Sequence, residues 1–327
     1  MKIVSILLPI IFIIAVLFLL FAPHTNKNTI LLDLTKVQNA HNAAQSLEDN
    51  NLIYNKYFFL AVLKALWLEK KIIAGEFEIK PHTSLFSLIK IITSTKNLYY
   101  YKITIIEGWS VKEALNHINK NPNLEGIITI KIPEGSLMPD TYVFSKGYSR
   151  NDLIKSMQKD MKEYLDKLWE NRNKKLPYKT KEEALTLASI VEKETSFKDE
   201  RALIAGVFLN RLRLGIKLQT DPTVAYGLGK LNADKLTKAD LQSNTPYNTY
   251  IIKALPPTPI ANPSRKSLQA VFNPQQSSYL YFVADGNGGH AFATNLKDHN
   301  ANVEKWRVVE KGIRKAQKEA SLKNKGK

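Results

Sequence analysis

The sequence predicts an α+β protein, and three observations carry that prediction. Segments with helical spacing of apolar residues alternate with short strand-like runs along the chain. Residues 3–22 form a run of 20 without a charge, about the length of a membrane-crossing helix. Towards the other end, 279–284 and 290–294 flank Asp285-Gly-Asn-Gly-Gly289, the pattern of a β-hairpin.

Taken in order, the apolar run follows only Lys2, and a cleavage site reading Leu20-Phe21-Ala22 before Pro23 is poor. An uncleaved anchor is therefore expected, with its amino end in the cytoplasm and the rest outside. Residues 31–74 read as mostly helical. Gly75-Glu-Phe-Glu-Ile-Lys80 alternates as a strand until Pro81 stops it. Thr83 caps a helix to Thr93, and 99–106 reads as a second strand. Its Tyr99-Tyr100-Tyr101 run suits either a sugar-stacking surface or a pair of strands packing aromatics. Ser110-Val-Lys-Glu113 is a capping box opening a helix. Residues 133–142 are a loop, 151–169 an amphipathic helix and 171–179 a polar connection. A buried helix over 201–213 is closed by Gly215. Residues 218–224 read as a strand-to-turn element. Five prolines make 244–263 irregular, Ser264 caps a short helix, and the last segment from Leu296 is helical.

The absence of cysteine among 327 residues excludes a disulfide scaffold, a cysteine-based zinc site and a cysteine nucleophile. A net charge of +17 raises nucleic acid, anionic membrane surfaces and acidic polymers as partners. For a chain whose bulk lies outside a membrane, the last two fit and nucleic acid does not. The cations are diffuse apart from a basic tail.

The candidate acid lies in Thr180-Lys-Glu-Glu-Ala-Leu-Thr-Leu-Ala-Ser-Ile-Val-Glu-Lys-Glu-Thr195. Thr180 with Glu183 is a capping box, and the apolar residues that follow have helical spacing. With Leu187 at zero on a wheel of about 100° per residue, Ile190 falls near 300°, Val191 near 40° and Glu194 near 340°. Glu194 thus lies inside the apolar arc, while Glu192 lies at its edge and is expected to be structural. A carboxyl against an apolar surface keeps its proton to higher pH, as a general acid requires.

Several stretches, in the same order, resemble one family. They are Leu187-Ala-Ser-Ile-Val-Glu-Lys-Glu-Thr195, Phe208-Leu-Asn-Arg-Leu212, Leu218-Gln-Thr-Asp-Pro-Thr-Val224, Tyr247-Asn-Thr-Tyr250, Leu255-Pro-Pro257, Tyr279-Leu-Tyr-Phe-Val-Ala-Asp-Gly286 and Gly288-Gly-His-Ala-Phe292. They resemble the bacterial endolytic murein transglycosylases, the YceG-like family, strongly over 139–306. The amino-terminal half resembles the family in layout. The resemblance implies a transmembrane anchor over 1–22, a LysM-like module over 23–106 and a connecting segment contributing to the cleft over 107–150. A catalytic domain over 151–318 and a basic tail over 319–327 follow.

The activity implied is a lyase that cuts the β-1,4 bond between N-acetylmuramic acid and N-acetylglucosamine inside a nascent glycan strand, leaving a 1,6-anhydro end. The family's catalytic acid falls on Glu194. Gln219, Thr220, Asp221, Tyr247, Asn248, Tyr250 and His290 are the candidate substrate-binding residues. Asp221 has capping of the element begun by Pro222 as its structural alternative, and the tyrosines could instead cover core. No metal or other cofactor is implied. The partners are peptidoglycan strands, the cytoplasmic membrane and peptidoglycan synthases. The family pattern is broken in two places: Ser136-Leu137-Met138 stands where aromatics are common, and Asn262-Pro263-Ser264-Arg265 where Asn-Pro-Gly is usual. Two other readings stay open. One is a muramidase using Asp221 as a second carboxylate; the other is a non-catalytic glycan-binding protein of envelope assembly.

Overall fold

The computed structural model describes residues 2–195, 197, 199–230 and 236–325, with only the backbone at 2–6, 314 and 316–325. The chain divides into two compact units. One comprises Met1–Ile103, Asn121–Ile127 and Tyr142–Arg150; the other comprises Thr104–Lys120, Ile128–Thr141 and Asn151–Lys327.

The first unit begins with helix α1 (Lys2–Phe21), which contains Pro9. Among the described residues no helix is long and apolar enough to cross a membrane; the side chains of α1 are described only from residue 7. Then follow β1 (Ile30–Asp33), α2 (Ala40–Asp49), α3 (Lys56–Ala65), β2 (Glu76–Ile79), α4 (Leu85–Ile92) and β3 (Tyr100–Thr104). Asn39, Asn55 and Ser84 cap α2, α3 and α4 through their side chains, each satisfying an orphan backbone N–H. The strands β4 (Leu124–Glu125), β5 (Thr141–Ser145) and β6 (Tyr148–Ser149) complete the unit. Strand β1 runs antiparallel to β2, with Ile30 opposite Ile79, while β3 pairs with β5 and β4 with β6.

The expectation that 31–74 is mostly helical is corrected at its start. Leu32 is buried and Leu31 is exposed, the period of a strand. What fixes that strand is its partner some 45 residues on, which no local window contains. Leu32, Leu47, Phe59, Leu63, Phe77 and Ile89 form the unit's core. Glu76 is only 3% exposed, and a buried carboxylate needs partners. It has Lys146 Nζ at 2.6 Å and the Tyr101 hydroxyl at 2.5 Å. The tyrosine run therefore divides: Tyr101 binds Glu76 and packs near Phe144, while Tyr99 and Tyr100 are exposed.

The second unit holds α5 (Val111–Asn119), α6 (Arg150–Glu170), α7 (Lys181–Glu194), α8 (Arg201–Arg213), α9 (Asp221–Gly227) and α10 (Arg265–Phe272). The antiparallel hairpin β7 (Tyr281–Ala284) and β8 (His290–Ala293) precedes α11 (Leu296–Lys325). Residues 326–327 of the expected basic tail lie outside the described residues. The Ser110–Glu113 capping box is present. At α7 only half of one forms. Thr180 accepts from the Glu183 N–H as expected, but the Glu183 carboxylate accepts from the Lys179 N–H rather than from the cap.

Every residue of α7 from Ala184 to Val191 is buried, so the helix is enclosed on all sides, with α8, α9 and α10 against it. Leu187, Ile190, Ile204, Phe208, Leu268 and Val271 are at the centre of that core. Ser189 is tolerated there because its hydroxyl donates to Thr186 O and accepts from the Ile260 N–H. The strand expected over 218–224 is not formed. A loop with Gln219 at φ +55° leads directly into α9, and Pro222 takes the first turn of that helix, where its missing N–H costs nothing.

Packing against α8 is tightest at Gly206, where an added Cβ would stand 2.3 Å from the Gln275 carbonyl oxygen. Gly206→Ala is therefore expected to cost about 1–3 kcal/mol in urea-induced unfolding, through forced separation of α8 from the segment after α10.

Candidate active site

Glu194 is the last residue of α7 and faces a cleft of about 590 Å³. Gln219 and Thr220 from the loop before α9, Asp221 at its first position, Tyr250, and His290 from β8 also line it. The buried helix thus carries its terminal carboxyl to the floor of an opening bordered by the hairpin and α11. Burial pushes the Glu194 carboxyl up to about 7 from its ordinary 4.5. The hydroxyl of Thr220, which donates to Oε1, opposes that rise. Asp221 adds to it, and His290 and Arg211 draw it back.

Thr220 is itself fixed. Its N–H donates to Thr249 Oγ1 at 3.0 Å, and its carbonyl accepts from Thr223 Oγ1 at 2.7 Å. Asp221 does not cap α9 with its side chain; Oδ1 accepts from the Tyr250 hydroxyl at 2.6 Å. That bond, after burial, raises the tyrosine's pKa and keeps it a donor. Gln219 donates its N–H to Thr249 O and offers Oε1 to Arg211 at 3.4 Å.

Two predicted residues lie elsewhere. Asn248 is fully buried and braces the proline-rich loop, donating to Leu241 O and Ser243 O while accepting from the Tyr250 N–H. Tyr247 packs edge-on against Tyr226 with ring centroids 5.0 Å apart, and its hydroxyl meets Thr258 Oγ1. Neither lines the cleft. Glu192, expected to be structural, is buried and capped by Ser264, whose N–H and hydroxyl donate to Oε2 at 2.8 and 2.5 Å, with Arg201 on Oε1 at 3.3 Å. Ser264 also caps α10, so this one serine ties α10 to α7.

Sequence reasoning missed Glu200, Arg211, Tyr281 and His299. Glu200 accepts the His290 N–H at 2.9 Å and sits 2.7 Å from His290 Nδ1. A carboxylate there fixes the proton on Nδ1 and the plane of the ring. Arg211 donates to Leu280 O, Lys217 O and Leu218 O, tying the hairpin to the cleft loop. The sequence did not single it out, since α8 carries arginines at 201, 211 and 213 and only the fold sets their acceptors. His299, whose pKa burial lowers, lies stacked on Tyr281. No set of three His, Cys, Asp or Glu side chains among the described residues could hold a metal ion.

Residues 32–305 match the YceG-like family model. The chain belongs to the YceG-like family. Among its relatives is the endolytic murein transglycosylase of Bacillus subtilis, 32% identical over 314 residues that span 86% of each chain. The protein of that name from Streptococcus pneumoniae serotype 2 is 37% identical over 176 residues, 52% of this chain and 31% of that one. The crystal structure of a putative YceG-like protein from Listeria monocytogenes matches with a TM-score of 0.51 at 29% identity. It covers 84% of this chain and 99% of the other.

Within this YceG-like site, Thr220→Val removes the hydroxyl that holds the Glu194 pKa down. With Glu194 as the acid of the reaction, the alkaline limb of the pH–rate profile is expected to move to higher pH. A profile of kcat/KM from pH 5 to 10 checks this.

Proposed function

We propose that the protein is an endolytic lytic transglycosylase of peptidoglycan with Glu194 as its catalytic acid. Membership of a family whose relatives are named endolytic murein transglycosylases supports the activity. The observation that carries the assignment of the acid is a carboxyl held protonated to about pH 7 at the floor of a polar cleft. The Thr220 hydroxyl occupies Oε1, so Oε2 is the oxygen left to carry the transferable proton. Glu194 gives that proton to the glycosidic oxygen between N-acetylmuramic acid and N-acetylglucosamine as the C1–O bond breaks. Positive charge developing at C1 is stabilised by the sugar's own acetamido group. The carboxylate then takes the proton of the C6 hydroxyl while that oxygen bonds C1, closing the 1,6-anhydro ring and restoring the acid. No water is consumed. Tyr250 and Asp221, joined by their hydrogen bond, and Gln219 supply hydroxyl, carboxylate and amide groups for the sugars. Glu200 orients His290 on the facing wall.

In this reading α1, whose sequence contains the uncharged run 3–22, anchors the chain in the cytoplasmic membrane, and the cleft works outside it on nascent strands. The strand–helix–helix–strand order of β1, α2, α3 and β2 supports a LysM-like glycan-binding role for the first unit. Such an enzyme releases strands beside the synthases that extend them.

The test compares wild type with Glu194→Gln on uncrosslinked glycan strands, recording product masses. Wild type should give anhydro ends, and Gln, which cannot donate the proton, should lose at least about 100-fold in rate. Products heavier by one water would instead indicate a hydrolase, with Asp221 as its second carboxylate.

A further inference from the structure

Glu194 and His290 border a second hollow as well as the polar cleft. It has a volume of about 370 Å³ and is lined by Thr195, Gly286, Gly288, Trp306 and Ile313 besides those two residues. We propose that this hollow is a second sugar subsite, binding an N-acetylhexosamine residue of the glycan strand across Glu194 from the polar cleft, with Trp306 as its stacking platform. The proposal rests on the transglycosylase reading. An acid that cuts within a strand has a sugar on each side of the scissile bond, so two binding places must meet at it.

The two hollows meet at Glu194 and His290, and their linings differ. The cleft offers carboxylate, amide, hydroxyl and guanidinium groups. Besides the two shared residues, the second hollow offers one indole, glycine backbone, the apolar Ala284 and Ile313, and Thr195. A pyranose ring presents C–H groups on a face, which an indole covers, and polar groups at its edge. Its volume lies within the range of about 300–1,000 Å³ typical of small-ligand pockets.

The turn that borders the hollow packs closely against its neighbours. Gly286 and Gly288 have φ of +87° and +92°, a left-handed conformation that glycine adopts freely. A Cβ at Gly286 would stand 2.7 Å from Val309 Cγ1 on α11, and one at Gly288 would stand 2.9 Å from the Phe197 ring. The Asp285 carboxylate closes the turn by accepting the N–H groups of Asn287 and Gly289 at 2.7 and 3.1 Å. Since Val309 is one turn beyond Trp306 on α11, the turn and the indole are held against the same helix. The polar Gly-rich turn of the hairpin thus acquires a ligand-facing role beyond linking two strands.

The experiment has two parts. In Glu194→Gln protein, which binds without cutting, tryptophan fluorescence is titrated with tetra-N-acetylchitotetraose. A saturable change is expected, and it should vanish in Glu194→Gln/Trp306→Phe although Trp67, Trp109 and Trp169 remain. In otherwise wild-type protein acting on peptide-free glycan strands, Trp306→Ala should raise KM about 10-fold while kcat moves by less than about threefold, and Trp306→Phe should recover most of the loss. Recovery by Phe separates lost stacking from a general loss of fold. An unchanged KM in Trp306→Ala, or a fluorescence change that survives in the double variant, would overturn the subsite while leaving the acid assignment standing. Absence of anhydro products from wild type would overturn the transglycosylase reading, and the fluorescence titration would still decide the subsite.

Discussion

The site depends on the withdrawal of one carboxyl from water. Glu194 ends a helix buried from Ala184 to Val191, and desolvation of its own carboxyl is the largest influence on its proton. Left alone, desolvation would make the group a poor proton donor by holding its proton too tightly. A hydroxyl on Oε1 and two cationic or titratable neighbours, Arg211 and His290, bring the pKa back to about 7. The balance is between a large unfavourable term and several smaller favourable ones, the arrangement general acids need near neutral pH.

Holding that balance takes polar bracing of irregular backbone. The proline-rich stretch before α10 contributes few backbone hydrogen bonds of its own to regular structure. Side chains supply them instead: Asn248 gathers three loop groups, Ser189 takes the Ile260 N–H, and Asn262 takes the Leu137 N–H at 3.0 Å. Glu192 joins α7 to α10 through Ser264 and Arg201. Two carboxylates in the last turn of α7 thus differ: Glu192 is bound on both oxygens, and Glu194, two residues on, faces the cleft.

Much of this was legible in the sequence. Helix α7, its Thr180 cap, the α8 stop at Gly215 and the hairpin are local features, written in spacing and turn chemistry. The helical wheel and the family resemblance both singled out Glu194, which does line the cleft. What was hidden depended on contacts distant in the chain. Strand β1 exists because of β2, and Glu200 matters because β8 folds back onto it. Tyr247 and Asn248 share a motif with Tyr250, yet only Tyr250 reaches the cleft, since a loop's side-chain directions follow from where its backbone is tied. The wheel placed Glu194 in an apolar arc, but α7 is buried from Ala184 to Val191, so Glu194 reaches the cleft as much by where the helix ends as by its angular position.

The central claim is that folding raises the Glu194 pKa, and the most direct measurement is unfolding free energy against pH for wild type and Glu194→Gln. A carboxyl with an ordinary pKa of 4.5 and a folded value of about 7 favours the folded state below 4.5. That contribution is lost as pH rises from there through 7, so wild type should lose about 3 kcal/mol relative to Gln across this interval and no more above it. A stability difference between the two proteins that stays flat from pH 4 to 9 would contradict the account.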